Sequence, residues 1–204
     1  LSGPNAGKIL QDAGIDFDLS PAEFPFMSMK EGHIGGLAAR IFRISFTGEL
    51  SYEINVAARH GLALWTRLMA AGKAHGITPY GTEAMHVLRA EKGFIIVGQE
   101  TDGSVTPHDL GMDWIVSKTK PDFIGKRALA RHTMEYDDRK QLVGLLCSDP
   151  STVIPEGAHA VLDPDQPLPM KMLGQVTSSY FSPNCGRSIA MAMLKGGHAL
   201  KGQT

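Results

Sequence analysis

The sequence predicts an α+β fold, an antiparallel-sheet domain closed by a small all-β barrel, on three observations. Two period-2 runs flank a Gly-containing break within 42–55, the pattern of a β-hairpin. Apolar residues recur at helical spacing in 62–69 and again in 84–88. Beyond a charged stretch at 136–140, four short apolar runs alternate with Pro/Gly turns, the composition of a small barrel. The domains are therefore drawn as 1–136 and 137–204.

A chain of 204 residues has room for one large domain or two small ones. The hydrophobic fraction of 43 % and charged fraction of 20 % are those of an ordinary globular protein. A formal charge of −1 supplies no bulk attraction to nucleic acid or acidic membranes, so neither is expected as a partner and any ligand must be recognised locally. Cys147 and Cys185 stand far apart with no CxxC spacing, which argues against a disulfide framework or a zinc ribbon and points to a reducing, cytoplasmic setting. No apolar run approaches the ~20 residues of a membrane span. The chain opens without Met and moves straight into a helix start, so a fragment of something longer is expected.

In order along the chain, Pro4 suits the first turn of a helix that carries Ile9 and Leu10 and stops near Gly14. Residues 15–36 read as irregular, punctuated by Pro21, Pro25 and Gly32, Gly35 and Gly36, with a weak strand alternation through Phe24, Phe26, Met27 and Met29. The hairpin follows. The next helix carries Leu62, Trp65, Leu68 and Met69 inward, with Gly72 and Gly76 at its exit. Another starts near Thr82 with Ala84, Val87 and Leu88 on its apolar face and Glu83, Arg89 and Glu91 on its polar side. Residues 94–97 and 114–116 read as short strands and 125–132 as a helix, with a long polar loop at 98–107 of the kind that carries ligand contacts. The tail strands fall at 142–146, 158–162, 174–180 and 188–193.

Motifs for common chemistries are weak. Gly3-Pro-Asn-Ala-Gly-Lys8 has three residues between its glycines and Ile9 where a phosphate loop needs Ser or Thr. The eight histidines form no i,i+4 pair, so no metal site is expected. Neither Ser51 nor Ser182 sits in a nucleophile elbow, and Cys147 reads as core. In the hairpin, a loop at 47–50 would set Phe46 opposite Ser51 and Ile44 opposite Glu53. Phe46 and Glu53 would then be diagonal neighbours on one face, roughly 7–8 Å apart. An aromatic plate beside a carboxylate suits a flat heterocycle donating two N–H groups. The same pattern equally describes a half-buried hairpin whose Glu53 faces water.

Longer blocks go further. Arg43-Ile-Ser-Phe-Thr-Gly-Glu-Leu-Ser-Tyr-Glu-Ile54 resembles the tetrahydrofolate-binding hairpin of the glycine-cleavage T-protein (aminomethyltransferase) family, Arg-x-x-aromatic-Thr-Gly-Glu-x-x-x-Glu-Ile. Matching blocks follow in family order. They are Leu88-Arg-Ala-Glu-Lys-Gly-Phe94, Gly98-Gln-Glu100, Thr106-Pro with Leu110-Gly-Met-Asp-Trp114, Lys120-x-Asp-Phe-Ile-Gly-Lys-Arg-Ala-Leu129, and Gly174-Gln-Val-Thr-Ser-Ser-Tyr-Phe-Ser-Pro183. Ser51-Tyr-Glu53 and the 98–107 loop are most similar to the carboxy-terminal part of the heterotetrameric sarcosine oxidase alpha subunit.

The resemblance implies roles. Glu53 matches the glutamate that accepts from the pterin ring N–H and amine, a charge-assisted pair. Phe46 stands where many relatives have Tyr against the pterin. Arg89 matches a folate-holding arginine, with an ion pair as its structural alternative. Tyr180 would line the same cavity or pack in the core. The family's catalytic aspartate lies upstream of the equivalent of Leu1, and Asp12, Asp16 and Asp18 do not match it, so no catalytic residue is expected here and an isolated fragment should be inactive. Tetrahydrofolate is the implied cofactor, with FAD, FMN and NAD implied for a full oxidase. The other oxidase subunits, including the flavin-bearing beta subunit, are the implied partners. A stand-alone aminomethyltransferase acting on a lipoyl carrier, and a non-catalytic docking module, are the alternative readings.

Overall fold

The computed structural model describes residues 1–203 and divides into two compact units, Leu1–Phe94 and the residues from Ile95 onward. The first unit packs helices on one side of a three-stranded antiparallel sheet. Helix α1 (Ala6–Asp12) buries Ala6, Ile9 and Leu10, and Gly14 takes a positive φ just beyond its end. Strands β1 (Met29–Ile34), β2 (Leu37–Phe42) and β3 (Glu53–Val56) pair in the order β1-β2-β3. Helices α2 (Gly61–Gly72) and α3 (Thr82–Glu91) complete the unit.

The core of this unit joins Leu10, Leu19, Phe24, Ile34, Ile41, Tyr52 and Leu64. Its sheet is two-faced by simple alternation. Ala39, Ile41, Ile54 and Val56 turn to the core, whereas Arg40, Glu53 and Asn55 are exposed.

Several sequence expectations give way here. β1 runs through Gly32, and Gly35–Gly36, both at positive φ, make a two-residue hairpin turn that pairs Ile34 with Leu37. A Gly-Gly pair is a turn signal of that kind. The key hairpin is shifted: Glu53 pairs with Phe42, not Ile44, and Phe46 lies outside any strand. A two-residue shift keeps every side chain on its face, so period-2 patterning cannot distinguish the two registers. What decides is the amino-terminal segment. Leu1 and Tyr52 exchange both backbone hydrogen bonds, and Gly3 N–H donates to the Leu50 carbonyl, so 50–52 pair with 1–3 instead of with 44–46. Trp65 is half exposed, not core, because Leu64 takes the inward position on α2. On α3 the buried residues are Arg89 and Ala90, and Ala84 is exposed.

In the second unit, a four-stranded antiparallel sheet runs β4 (Lys140–Leu145), β7 (Arg187–Lys195), β6 (Met172–Ser182), β5 (His159–Val161), the strands being numbered in chain order. All four tail strands were legible as apolar runs. β7 at the centre is buried over Ser188–Leu194, as a strand flanked on both sides must be. Gly174 is obligatory, since a Cβ there would meet the Met193 carbonyl oxygen at 1.8 Å. The segment before the sheet is irregular. Residues 94–96 lie outside any strand and lead into a turn that begins at Val97, and Trp114 sits in a short 3₁₀ turn, Asp113–Ile115. Helix α4 is only Lys126–Leu129. The spatial division at 94/95 thus falls well before the compositional change at 137. The charged stretch near 137 is anchored: Arg139 donates through Nε to Asp109 at 2.9 Å and through its second amino group to the same carboxylate.

Candidate functional site

On the solvent face of the first sheet, β1, β2 and β3 set Met29, Phe42 and Glu53 in one cross-strand row, since directly paired residues project to the same side. The next row is Glu31, Arg40 and Asn55. Arg40 is committed to Glu31, donating at 2.9 and 3.2 Å. Glu53 accepts one long hydrogen bond, from Asn55 Nδ2 at 3.4 Å, and among the described residues it makes no ion pair. A carboxylate offers about four acceptor positions, so most of its capacity is unused within this unit.

Phe46 occupies the 43–52 loop, 39 % exposed, next to the buried Thr47 and Gly48 at positive φ. The loop is tied down at its start. Arg43 exchanges backbone hydrogen bonds with Ser28 and Met27, and its guanidinium donates to the Phe24 carbonyl at 2.8 Å. Tyr52, at the loop's end, stacks on Phe24, and burial raises its hydroxyl pKa while Arg43 opposes the rise.

Arg89 is fully buried in the last turn of α3, where a cation also complements the helix's negative end. Its guanidinium donates to the Phe94 carbonyl at 3.0 Å, and the Phe94 N–H returns a bond to the Arg89 carbonyl at 2.9 Å. Tyr180 is half-buried on β6 opposite Ile189, in the second unit. Of the four sequence-predicted residues, Glu53, Phe46 and Arg89 therefore belong to the first unit and Tyr180 to the second.

Two buried carboxylates were not singled out by sequence reasoning. Glu100 accepts from the Ile96 N–H at 2.7 Å and from the Ser178 hydroxyl. Asp109 accepts from the N–H and the hydroxyl of Thr106, each at 2.8 Å, and from Arg139. Burial alone would raise the Asp109 pKa, but Arg139 and Thr106 together carry it below the usual carboxylate range. The Thr106-x-x-Asp109 spacing was the available signal, because a hydroxyl and a carboxyl three residues apart can bond locally. A separate cavity of about 490 Å³ in the first unit is lined by Trp65, Tyr80, Ile77 and the amino-terminal residues, and by none of Glu53, Phe46 or Arg89. Among the described residues no group of His, Cys, Asp and Glu could hold a metal ion, and no helix is long and apolar enough to cross a membrane.

Two family models account for most of the chain. Residues 1–120 match the GCVT N-terminal domain, and 140–204 match the glycine cleavage T-protein C-terminal barrel domain. The chain belongs to the glycine cleavage T-protein family. Within that family it is 48 % identical to "Sarcosine oxidase subunit alpha" of Corynebacterium sp. (strain P-1), over 98 % of this chain and 21 % of that one. The "Aminomethyltransferase" of Chlorobaculum parvum is 36 % identical over 99 % of this chain and 53 % of its own. The crystal structure of glycine cleavage system aminomethyltransferase T from Bartonella henselae superposes with a TM-score of 0.77 at 28 % identity, covering 96 % of this chain and 50 % of that one. The T-protein-like chain thus spans about a fifth of its sarcosine oxidase relatives and about half of the aminomethyltransferases. Its α+β architecture, antiparallel sheets followed by a barrel-domain sequence, is the fold of that family.

Proposed function

We propose that this chain is the folate-facing part of a sarcosine oxidase alpha subunit, in which tetrahydrofolate captures the one-carbon unit of an oxidised methylamine as 5,10-methylenetetrahydrofolate. The observation that carries the reading is Glu53. It is an exposed carboxylate with spare acceptor capacity on a sheet face, within the hairpin that bears the family motif. Those residues fit a pterin, whose ring N–H and exocyclic amine form a two-donor edge. When bound, tetrahydrofolate supplies the nucleophilic nitrogen. This chain then supplies orientation, which is where a positioned bimolecular reaction gains most.

Glu53 accepts the paired donors and sets the ring's angle. Phe46 packs against its plane; as a phenylalanine it offers a stacking surface without a hydroxyl. Arg89, being buried, supports folate binding by bracing the turn after α3. Tyr180 contributes from β6. The acid/base residue implied for the reaction is not among these 204 residues. FAD, FMN and NAD would be carried elsewhere in the oxidase, with the flavin-bearing beta subunit as partner in the cytoplasm. The higher identity to sarcosine oxidase subunits, 48 % against 36 % for an aminomethyltransferase, favours the oxidase over a stand-alone transferase acting on a lipoyl carrier.

The test is calorimetric titration of tetrahydrofolate into the intact protein that contains this chain, as wild type and as Glu53→Ala. Loss of a charge-assisted pair should weaken binding by about 1.5–3 kcal/mol. Equal affinities would remove Glu53 from the site and the reading with it.

A further inference from the structure

The register of the first sheet brings a second aromatic to Glu53 that the motif does not mark. Phe42 is its direct cross-strand partner, and Met29 is the partner of Phe42 on the other side. All three project to the same open face. Met29 is 46 % exposed, Phe42 is partly exposed and Glu53 is exposed. The apolar members therefore form an open strip that ends on a carboxylate. The cation nearest in the register, Arg40, is already engaged by Glu31, so the strip offers no positive charge of its own. Such a surface is poorly matched to an anion or to a polar peptide. It matches a flat heteroaromatic ring whose apolar face lies on Phe42 and Met29 while its donor edge meets Glu53. Aromatic faces and thioether sulfur both favour that kind of contact.

We infer that Phe42, assisted by Met29, is a specificity-determining residue of the site: it forms the platform on which the heterocycle lies while Glu53 reads its donor edge. The inference rests on the folate reading above and extends it by naming the surface that selects for a planar ring.

The experiment measures binding of tetrahydrofolate, and of a simple pterin lacking the glutamyl tail, to the intact protein that contains this chain, as wild type and as Phe42→Leu, Phe42→Tyr, Met29→Ala and Glu53→Gln. Phe42→Leu keeps an apolar side chain but removes the π face, and thermal melting checks that each variant is folded. Phe42→Leu is expected to weaken both ligands about five- to tenfold, Phe42→Tyr distinctly less, and Met29→Ala two- to threefold. Because the tailless pterin lacks the remote contacts, its proportional loss should match that of tetrahydrofolate. If Glu53→Gln weakens binding while folded Phe42→Leu and Phe42→Tyr both bind as wild type does, the platform is wrong and the folate reading stands. If Phe42→Leu and Phe42→Tyr lose equally, the ring face is not what is recognised and the inference falls. Absence of binding by the intact wild-type protein, or no effect of Glu53→Gln in it, overturns the folate reading and the platform together.

Discussion

Glu53 and Asp109 are two carboxylates of one chain put to opposite uses. Asp109 is 2 % exposed and saturated, with a backbone N–H, a hydroxyl and a guanidinium all directed at it. Glu53 is exposed and holds a single long hydrogen bond from its own strand. A buried charge must be fully partnered or it destabilises the fold, whereas an exposed one can keep its acceptor positions for a ligand. Asp109 therefore ties the segment before the second sheet to Arg139 at that sheet's entrance, and the Asp109 carbonyl also accepts from the Leu142 N–H at 2.7 Å. Glu53 ties down nothing. On this contrast, Asp109 belongs to stability, and Glu53 is the carboxylate we propose for recognition.

The contrast can be broken most forcefully at Asp109. Asp109→Ala leaves Arg139 without its carboxylate partner and should cost about 3–5 kcal/mol in chemical denaturation. Glu53→Ala should leave stability within about 0.5 kcal/mol, its effect appearing only in the folate titration. Comparable stability losses at both positions would erase the distinction.

Acid sharpens the comparison further. The folded pKa of Asp109 lies below its unfolded value, near 3.9. The unfolded chain therefore binds this proton more readily, and the stabilisation is fully present above the unfolded pKa. It is lost as pH falls below about 4 toward the folded pKa. Urea midpoints across pH 2–6 should drop more steeply for wild type than for Asp109→Asn.

Smaller effects probe the surroundings of each residue. Phe46→Leu, which removes the aromatic face from a loop residue, should weaken folate by about 0.5–1.5 kcal/mol with no change in melting temperature. Trp65→Ala should cost about 1 kcal/mol, clearly less than Leu64→Ala at about 2–5 kcal/mol, because only Leu64 is buried. A reversed order would restore Trp65 to the core.

Legibility differed between regions for a physical reason. The strands at 140–145, 159–161, 172–182 and 187–195 were readable because each is an apolar run bounded by turn residues. The helices over 61–72 and 82–91 were readable from their periodicity. The errors cluster where two answers share one pattern. Phe42, Ile44 and Phe46 have the same parity, so alternation could not say which of them faces Glu53. Arg89 looked like a surface cation because helical periodicity ranks residues by polarity and has no access to a carbonyl waiting at Phe94. The run at 94–97 reads as a buried strand, yet it joins no sheet and Val97, where a turn begins, is 85 % exposed.

By itself, the sequence determined the α+β class, the β-rich tail, the family blocks and the presence of a carboxylate in the motif hairpin. These depend on local periodicity and residue type alone. The tertiary structure alone decided which aromatic lies opposite Glu53, that Arg89 is interior, and that Asp109 is closed while Glu53 stays open. Those outcomes hinge on the pairing of Leu1–Gly3 with 50–52, on the Phe94 carbonyl that meets Arg89, and on the reach of Arg139 back to Asp109. Contacts between residues 30 to 51 positions apart leave no period in the sequence, so only the folded chain reveals which acceptor is satisfied and which remains available.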